Sequence, residues 1–136
     1  MPVVNLALDR IEVITDAPKS VKYQKDNRFQ PSQYFKDIVG VTRYEDSQIE
    51  QVVFSATAHE APYVRTKPIH HSQREIESLS GGRVLFSIDV IPNIELERDL
   101  LAFGDGITVL SPQSLVERLQ ARLQIAVDNY KNSGKK

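Results

Sequence analysis

The most regular pattern of apolar and polar positions lies in the last third of the chain, between residues 91 and 130. Asn93 precedes a periodic apolar run, and glutamates follow it in the expected first turn, which predicts a capped helix with acids where the helix dipole favours them. Gly104 and Gly106 are expected to end this helix in a tight turn. Residues 107–110 are an apolar run typical of a short buried strand.

A long amphipathic helix is predicted to follow that strand. Ser111 is expected to cap it, and Pro112 suits the first helical position. Apolar residues then recur at helical spacing and predict one face packed on the rest of the domain: Leu115, Leu119, Leu123, Ala126, Val127 and Tyr130. Because this block holds almost no reactive side chains, it indicates a part that folds and recognises rather than catalyses.

Strand and helix patterns alternate through the middle of the chain. They predict, in order, a strand over residues 49–58, a short helix over 60–67, a polar edge strand over 69–79, a hairpin turn at Gly81 and Gly82, and a strand over 83–91. With the closing block, the order becomes βαββαβ followed by a further helix. We therefore predict an α+β, ferredoxin-like module over residues 47–132, with residues 133–136 as a disordered tail.

The first 46 residues do not form a complete domain in the same way. Residues 3–14 are strand-like, a polar loop follows, and a short helix is predicted to open at Pro31 and end at Gly40. One strand and one helix cannot bury each other's apolar faces. We therefore expect residues 3–14 to pair with another copy of the chain, giving a homo-oligomer.

Composition and charge narrow the classes of function. The chain is 40% hydrophobic and 26% charged, which is ordinary for a globular protein. It has no cysteine, no long apolar run and no leader pattern, so we expect no disulfide, no membrane span and a cytoplasmic location. The net charge is −1, and only the first 44 residues carry a slight positive excess, so an anion would bind there if anywhere.

Three segments carry a resemblance to one family. LALDRI at residues 6–11 and QYFKDIVGV at residues 33–41 resemble parts of the WYL domain of bacterial transcriptional regulators. The block from Asn93 to Tyr130 resembles the end of the module that follows it, often called the WCX domain. The Trp-Tyr-Leu tripeptide itself is missing, and the chain contains no tryptophan.

The resemblance implies an organisation and a function. Residues 1–46 would be the C-terminal fragment of a WYL domain, a partial Sm-like β-barrel with one strand and a short helix, and residues 47–132 a WCX module. The chain would then be the non-catalytic part of a regulator that senses an effector and oligomerises. It would contact DNA only through an N-terminal helix-turn-helix that this chain lacks. The alternative is a pure dimerisation module without a ligand of its own.

Arg10, with Asp9, is the first candidate for ligand binding. A guanidinium among apolar neighbours needs a partner, and it offers several fixed donors to a phosphate or carboxylate. The resemblance implies a groove at this position for an anionic effector, either a small molecule or single-stranded nucleic acid. A structural ion pair with Asp9 or Glu12 is the competing interpretation.

Two other groups of polar residues are weaker candidates. Arg65, Lys67 and Arg74 could form an anion-binding rim, although a charge-balanced solvated surface is the simpler interpretation. His59, His70 and His71 suggest a metal, but adjacent histidines on a strand point to opposite faces and share an ion poorly. We expect solvent-facing histidines, no metal and no cofactor.

A hydrolase built on Ser72 with His70 or His71 is the third function considered. No glycine-flanked nucleophile elbow surrounds the serine, which lies on the predicted polar strand. The sequence therefore does not favour an enzyme.

Overall fold

A four-stranded antiparallel sheet forms the centre of the computed structural model, which describes residues 3–134. The strands are β1 (Glu50–Ala56), β2 (Arg74–Ser78), β3 (Val84–Val90) and β4 (Ile107–Ser111). They lie in the order β2-β3-β1-β4, and every neighbouring pair is antiparallel. Because each outer strand runs parallel to the strand one place removed, two split βαβ units interleave, and the predicted α+β, ferredoxin-like fold is confirmed.

Four α-helices accompany the sheet within residues 3–134. They are α1 (Pro31–Tyr34), α2 (Ala61–Thr66), α3 (Ile94–Leu101) and α4 (Gln113–Ser133), and the predicted C-terminal helical addition is α4. Asn93 caps α3 as predicted, since its side-chain oxygen accepts the amide of Leu96 at 2.9 Å. The predicted hairpin turn is present too, with Gly81 and Gly82 both at positive φ.

The core lies between one face of the sheet and the helices. Alternate residues of the strands point into it, and α2, α3 and α4 supply two residues each. The strand members are Val52, Phe54, Ala56, Val84, Phe86, Ile88, Val90, Ile107 and Val109, and the helix members are Ala61, Val64, Leu96, Leu100, Leu115 and Leu119. Phe54 and Phe86 are cross-strand partners whose rings stack at 5.6 Å.

Only the first half of α4 packs as predicted. Leu115 and Leu119 are buried, but Leu123, Val127 and Tyr130 are exposed by 46%, 45% and 84%. The predicted cap was wrong as well: Ser111 is the last residue of β4, and α4 starts after Pro112 without a side-chain cap. The apolar residues Leu123 and Val127 in the distal half of α4 therefore remain on the surface.

The predicted strand over residues 3–14 was wrong. The segment contains a single 3₁₀ turn, Leu8–Arg10, and is otherwise irregular. Its apolar side chains, including Leu6, Leu8 and Val13, are largely exposed. An extended segment needs a neighbouring strand to satisfy its backbone, and none pairs with this one within residues 3–134.

Two smaller boundaries also differ. β2 begins at Arg74, so residues 69–73 are a turn rather than strand, although β2 does lie at an edge of the sheet as predicted. The turn closes because Gln73 donates its amide to His70 O at 3.0 Å and its side chain accepts from the amide of Ile69 at 2.9 Å. At the other end, α4 reaches Ser133 inside the predicted tail, and residues 135–136 lie outside the described residues.

None of the helices between residues 3 and 134 has both the length and the apolar character needed to cross a bilayer.

Candidate functional site

Arg10 and Asp9 lie together on the exposed 3₁₀ turn of the N-terminal segment. Within residues 3–134 the Arg10 guanidinium makes no hydrogen bond or ion pair, so neither Asp9 nor Glu12 is its structural partner. Its donors are available to a ligand. Anion binding at Arg10 stays a prediction.

The three residues of the suggested anion rim each contact a group of this chain. Arg65 forms a bidentate pair with Glu75, at 2.7 and 2.9 Å, which raises the pKa of Arg65 and lowers that of Glu75. Lys67 Nζ lies 5.1 Å from the centre of the Tyr63 ring, and Arg74 donates to Asp89 at 2.8 Å.

The sheet register shows that these cations do not form one rim. Glu75 is opposite Phe86, on the face covered by the helices, whereas Arg74 is opposite Ser87 on the other face. Arg65 and Arg74 are therefore separated by the sheet. Anion binding at any one of them stays a prediction.

The open face of the sheet offers no stacking surface for bases. Phe54 and Phe86 are the two aromatic residues of the four strands, and both point into the core. Across the open face, Arg83 Nη2 donates to Ser55 Oγ at 2.8 Å and to Thr108 Oγ1 at 3.3 Å. Proteins that bind single strands use aromatic platforms, so this face does not have the features of a nucleic-acid site.

His70 and His71 converge on one backbone atom. Their Nε2 atoms lie 2.8 and 2.7 Å from Lys36 O, and their ring centres are 4.1 Å apart. The prediction of rings on opposite faces was wrong, because both residues lie in the turn before β2, and His70 is buried rather than solvent-facing; His71 is exposed as predicted. His59 is exposed and lies 3.9 Å from Glu60. No group of three metal-binding side chains occurs between residues 3 and 134.

Ser72 connects the histidine pair to β3. Its Oγ accepts the amide of Asp89 at 2.8 Å and lies 2.7 Å from His70 Nδ1, while its own amide lies 3.2 Å from that nitrogen. Burial lowers the pKa of His70, with the neighbouring His71 acting in the same direction. Through these bonds Ser72 connects the turn before β2 to the backbone of β3.

A second set of polar side chains lies at the N-terminus of α3. Besides capping the helix, Asn93 donates through Nδ2 to Val39 O at 2.7 Å and to Thr42 O at 2.8 Å. Asn93 is itself buried. Both Nδ2 protons of Asn93 are therefore donated to the segment before β1, while its oxygen caps α3.

Glu95 binds the same segment from the first turn of α3. Its Oε1 accepts the amide of Thr42 at 3.2 Å, the Thr42 hydroxyl at 2.7 Å and the amide of Val41 at 3.4 Å. Burial by itself would raise the pKa of Glu95, but hydrogen bonds from Thr42 and from backbone amides outweigh it, and the pKa is lowered. Gly40 has φ +72°, and a Cβ there would lie 2.6 Å from Glu95 Cγ.

We call residues 36–42 the strap. Within the strap, the Ile38 side chain is buried, and Asp37 O accepts the amide of Ile91 at 2.7 Å. Sequence reasoning predicted a helix through this segment and missed the strap. Two signals in the sequence could have indicated it. Gly40 suits the left-handed conformation that it adopts. The two histidines need hydrogen-bond partners, which the predicted edge strand did not provide.

An apolar groove of about 510 Å³ lies between β4, the end of α3 and the distal half of α4. Leu101, Val109, Val116, Leu123 and Val127 supply much of its lining. Two exposed apolar residues of α4, Leu123 and Val127, are part of this lining.

The comparison with protein families decides what kind of module this sheet and its helices form. A family model for the WCX domain matches residues 48–127, more than half of the chain. The chain belongs to the WCX domain family. The matched WCX domain runs from just before β1 into α4, and the strap lies upstream of it. No curated protein matches the chain.

Membership has consequences for the function. The WCX domain is a regulatory type of domain and not a known enzyme family. It is the module expected at the C-terminus of WYL-type regulators, in agreement with the resemblance seen in the sequence.

Proposed function

We propose that this chain is the effector-sensing and oligomerising part of a bacterial WYL-type transcriptional regulator. The observation that carries the proposal is the WCX match over residues 48–127, which spans the whole sheet, α2, α3 and most of α4. The polar residues that could have formed a hydrolase site support a non-catalytic role, because His70 and Ser72 are hydrogen-bonded to the backbone of the strap and of β3.

Exposed apolar side chains support oligomerisation through the N-terminal segment. Leu6 and Leu8 are exposed by 75% and 83%, at the alternate spacing that a strand requires. β4 is an edge strand with one unpaired side. On association, the N-terminal segment of one copy takes up a strand conformation against another copy, which hides both its apolar residues and its backbone groups.

Effector sensing is assigned to Arg10. Arg10 is exposed, its guanidinium makes no hydrogen bond or ion pair within residues 3–134, and the surrounding N-terminal third carries the slight positive excess. An arginine fork recognises the oxygens of a phosphate or carboxylate. The ligand is therefore an anion, either a small molecule or the backbone of a single strand.

Binding of a fluorescent single-stranded DNA, with inorganic phosphate as competitor, tests this assignment. We expect affinity to fall steeply with salt, and Arg10→Ala to weaken binding about tenfold, since charge-assisted hydrogen bonds contribute about 1.5–3 kcal/mol. Arg28→Ala is the matched control, because Arg28 is also exposed but is paired with Asp26 at 3.0 Å. Equal loss in both variants would contradict a specific site at Arg10. A stable oligomer that binds neither DNA nor phosphate would favour the pure dimerisation module.

A further inference from the structure

The two edges of the sheet differ in how readily they can accept a further strand. β2 carries three charged residues, Arg74, Glu75 and Glu77, and charged side chains protect an edge strand from pairing. β4 carries no charged residue between Ile107 and Ser111, and its outer side has no strand partner within residues 3–134. Both strands have one irregularity of register with their inner neighbour, so charge is what separates them. β4 is the receptive edge.

The apolar groove lies directly beside this edge. Ile107 and Val109 of β4 line it, and both belong to the core on the helix-covered face of the sheet. The distal half of α4 contributes Leu123 and Val127, which are still accessible. A strand added to β4 would place every second side chain on the same face as Ile107 and Val109. Those side chains would therefore enter the groove.

The N-terminal segment has the length and the pattern that such a strand needs. Val4, Leu6 and Leu8 alternate along it and are exposed by 73%, 75% and 83%. The residues between them, Asn5 and Ala7, are polar or small and suit the open face of the sheet. The stretch from Val4 to Leu8 is as long as β4, which has five residues. Ala7 is already in the extended conformation.

The segment is attached away from the groove of its own chain. Asn5 donates through Nδ2 to Val41 O of the strap at 2.9 Å, beside the first turn of α3. The groove lies at the other end of α3, at Leu101 and Gly104. Docking on a second copy is compatible with the Asn5 contact, because Asn5 lies on the opposite face of an extended segment from Leu6.

The area that such docking buries is close to what a stable dimer needs. Each contact hides the apolar side chains of Val4, Leu6 and Leu8 together with those of Leu123 and Val127. Two reciprocal contacts remove roughly 1,000 Å² of apolar surface from water, at about 100 Å² for each side chain. With the backbone of both strands added, the total reaches the roughly 1,200 Å² at which specific interfaces begin.

We propose that residues 4–8 of one copy add as a further strand to β4 of a second copy, with Val4, Leu6 and Leu8 in its apolar groove. The second copy does the same in return, so the exchange closes as a two-fold symmetric dimer. The inference rests on the proposed oligomerising role and names the surface through which that role acts.

Two single substitutions on α4 of the full chain test the groove. Leu123→Lys puts a charge into it, whereas Ile125→Lys changes an apolar residue, exposed by 61%, that lies outside the lining. In sedimentation velocity we expect Ile125→Lys to dimerise like the wild type. The dissociation constant of Leu123→Lys should rise about tenfold or more, because a charge is costly to bury in an apolar groove. Equal affinities of the two variants would overturn the groove as the docking site.

Disulfide cross-linking shows which copy supplies the segment, since the chain contains no cysteine of its own. Separately purified Leu6→Cys and Leu123→Cys chains are mixed and oxidised, and Ile125→Cys replaces Leu123→Cys in the control mixture. We expect mass spectrometry to find a peptide linked between positions 6 and 123 and none between 6 and 125. A link that forms only when both cysteines are in one chain would overturn docking on a second copy. A wild type that dimerises without the 6–123 link would overturn the inference and leave the oligomerising role intact, whereas a monomeric wild type would contradict both.

Discussion

The Glu97 carboxylate of α3 lies 2.7 Å from the Arg118 guanidinium of α4, and Arg122 one turn later donates to its second oxygen at 3.0 Å. Glu97 is buried, whereas both arginines are partly exposed. The two bonds lie next to Leu115 and Leu119, the buried residues of α4. They connect the first half of α4 directly to α3.

Glu97→Gln should therefore destabilise the domain. The variant loses the charge that both arginines bind, and because the arginines are partly hydrated we expect a loss of about 1–2 kcal/mol in the free energy of unfolding. Urea denaturation followed by circular dichroism measures it. Glu117→Gln is the control on α4, since Glu117 accepts only from Gln113. A loss at Glu97 no larger than that at Glu117 would show that the network does not hold α4.

Gly40→Ala should destabilise the protein more than Gly81→Ala. Both glycines have φ +72°, but a Cβ at Gly40 would lie 2.6 Å from Glu95 Cγ, whereas a Cβ at Gly81 meets nothing within 4 Å. We expect about 1 kcal/mol for the backbone conformation at Gly81 and roughly 2–3 kcal/mol at Gly40. Thermal or urea unfolding gives both values. Equal losses would contradict close packing of the strap on α3.

Glu95→Gln should remove part of the acid sensitivity of the fold. The pKa of Glu95 is lowered in the folded state, so its contribution is complete above its ordinary value of 4.5 and is lost as the pH falls through the folded pKa. The wild type should thus lose stability relative to Glu95→Gln below about pH 4.5. Unfolding in urea at a series of pH values measures the difference. Parallel curves for the two proteins below pH 4.5 would mean that Glu95 binds the strap without its charge.

The sheet and its order could be predicted from sequence because their determinants are local. Alternating apolar residues such as Phe54 and Phe86 set which face of each strand is buried, and Asn93 and the Gly81–Gly82 pair mark where α3 starts and the hairpin turns. These signals come from residues close in sequence. The structure confirms these parts of the prediction.

The errors share a different origin, since each depended on a partner distant in the chain. Residues 3–14 have a strand-like pattern, but no strand of residues 3–134 pairs with them. The orientation of His70 is set by Lys36 O, 34 residues earlier, and the strap by Asn93 and Glu95, more than 50 residues later. The apolar periodicity of α4 continues through Leu123 and Val127, which the rest of the domain does not bury. Periodicity cannot show where the surface that buries a helix ends.

Sedimentation velocity on the full chain tests the proposed regulatory, oligomerising role most directly. We expect the wild type to sediment as a concentration-dependent oligomer, and the Leu6→Lys, Leu8→Lys double variant as a monomer, because two charges would prevent burial of the N-terminal segment. Val21→Lys is the control, since Val21 is an exposed apolar residue in the neighbouring loop. A wild type that remains monomeric at concentrations up to the hundreds of micromolar, or a double variant that still oligomerises, would contradict the account.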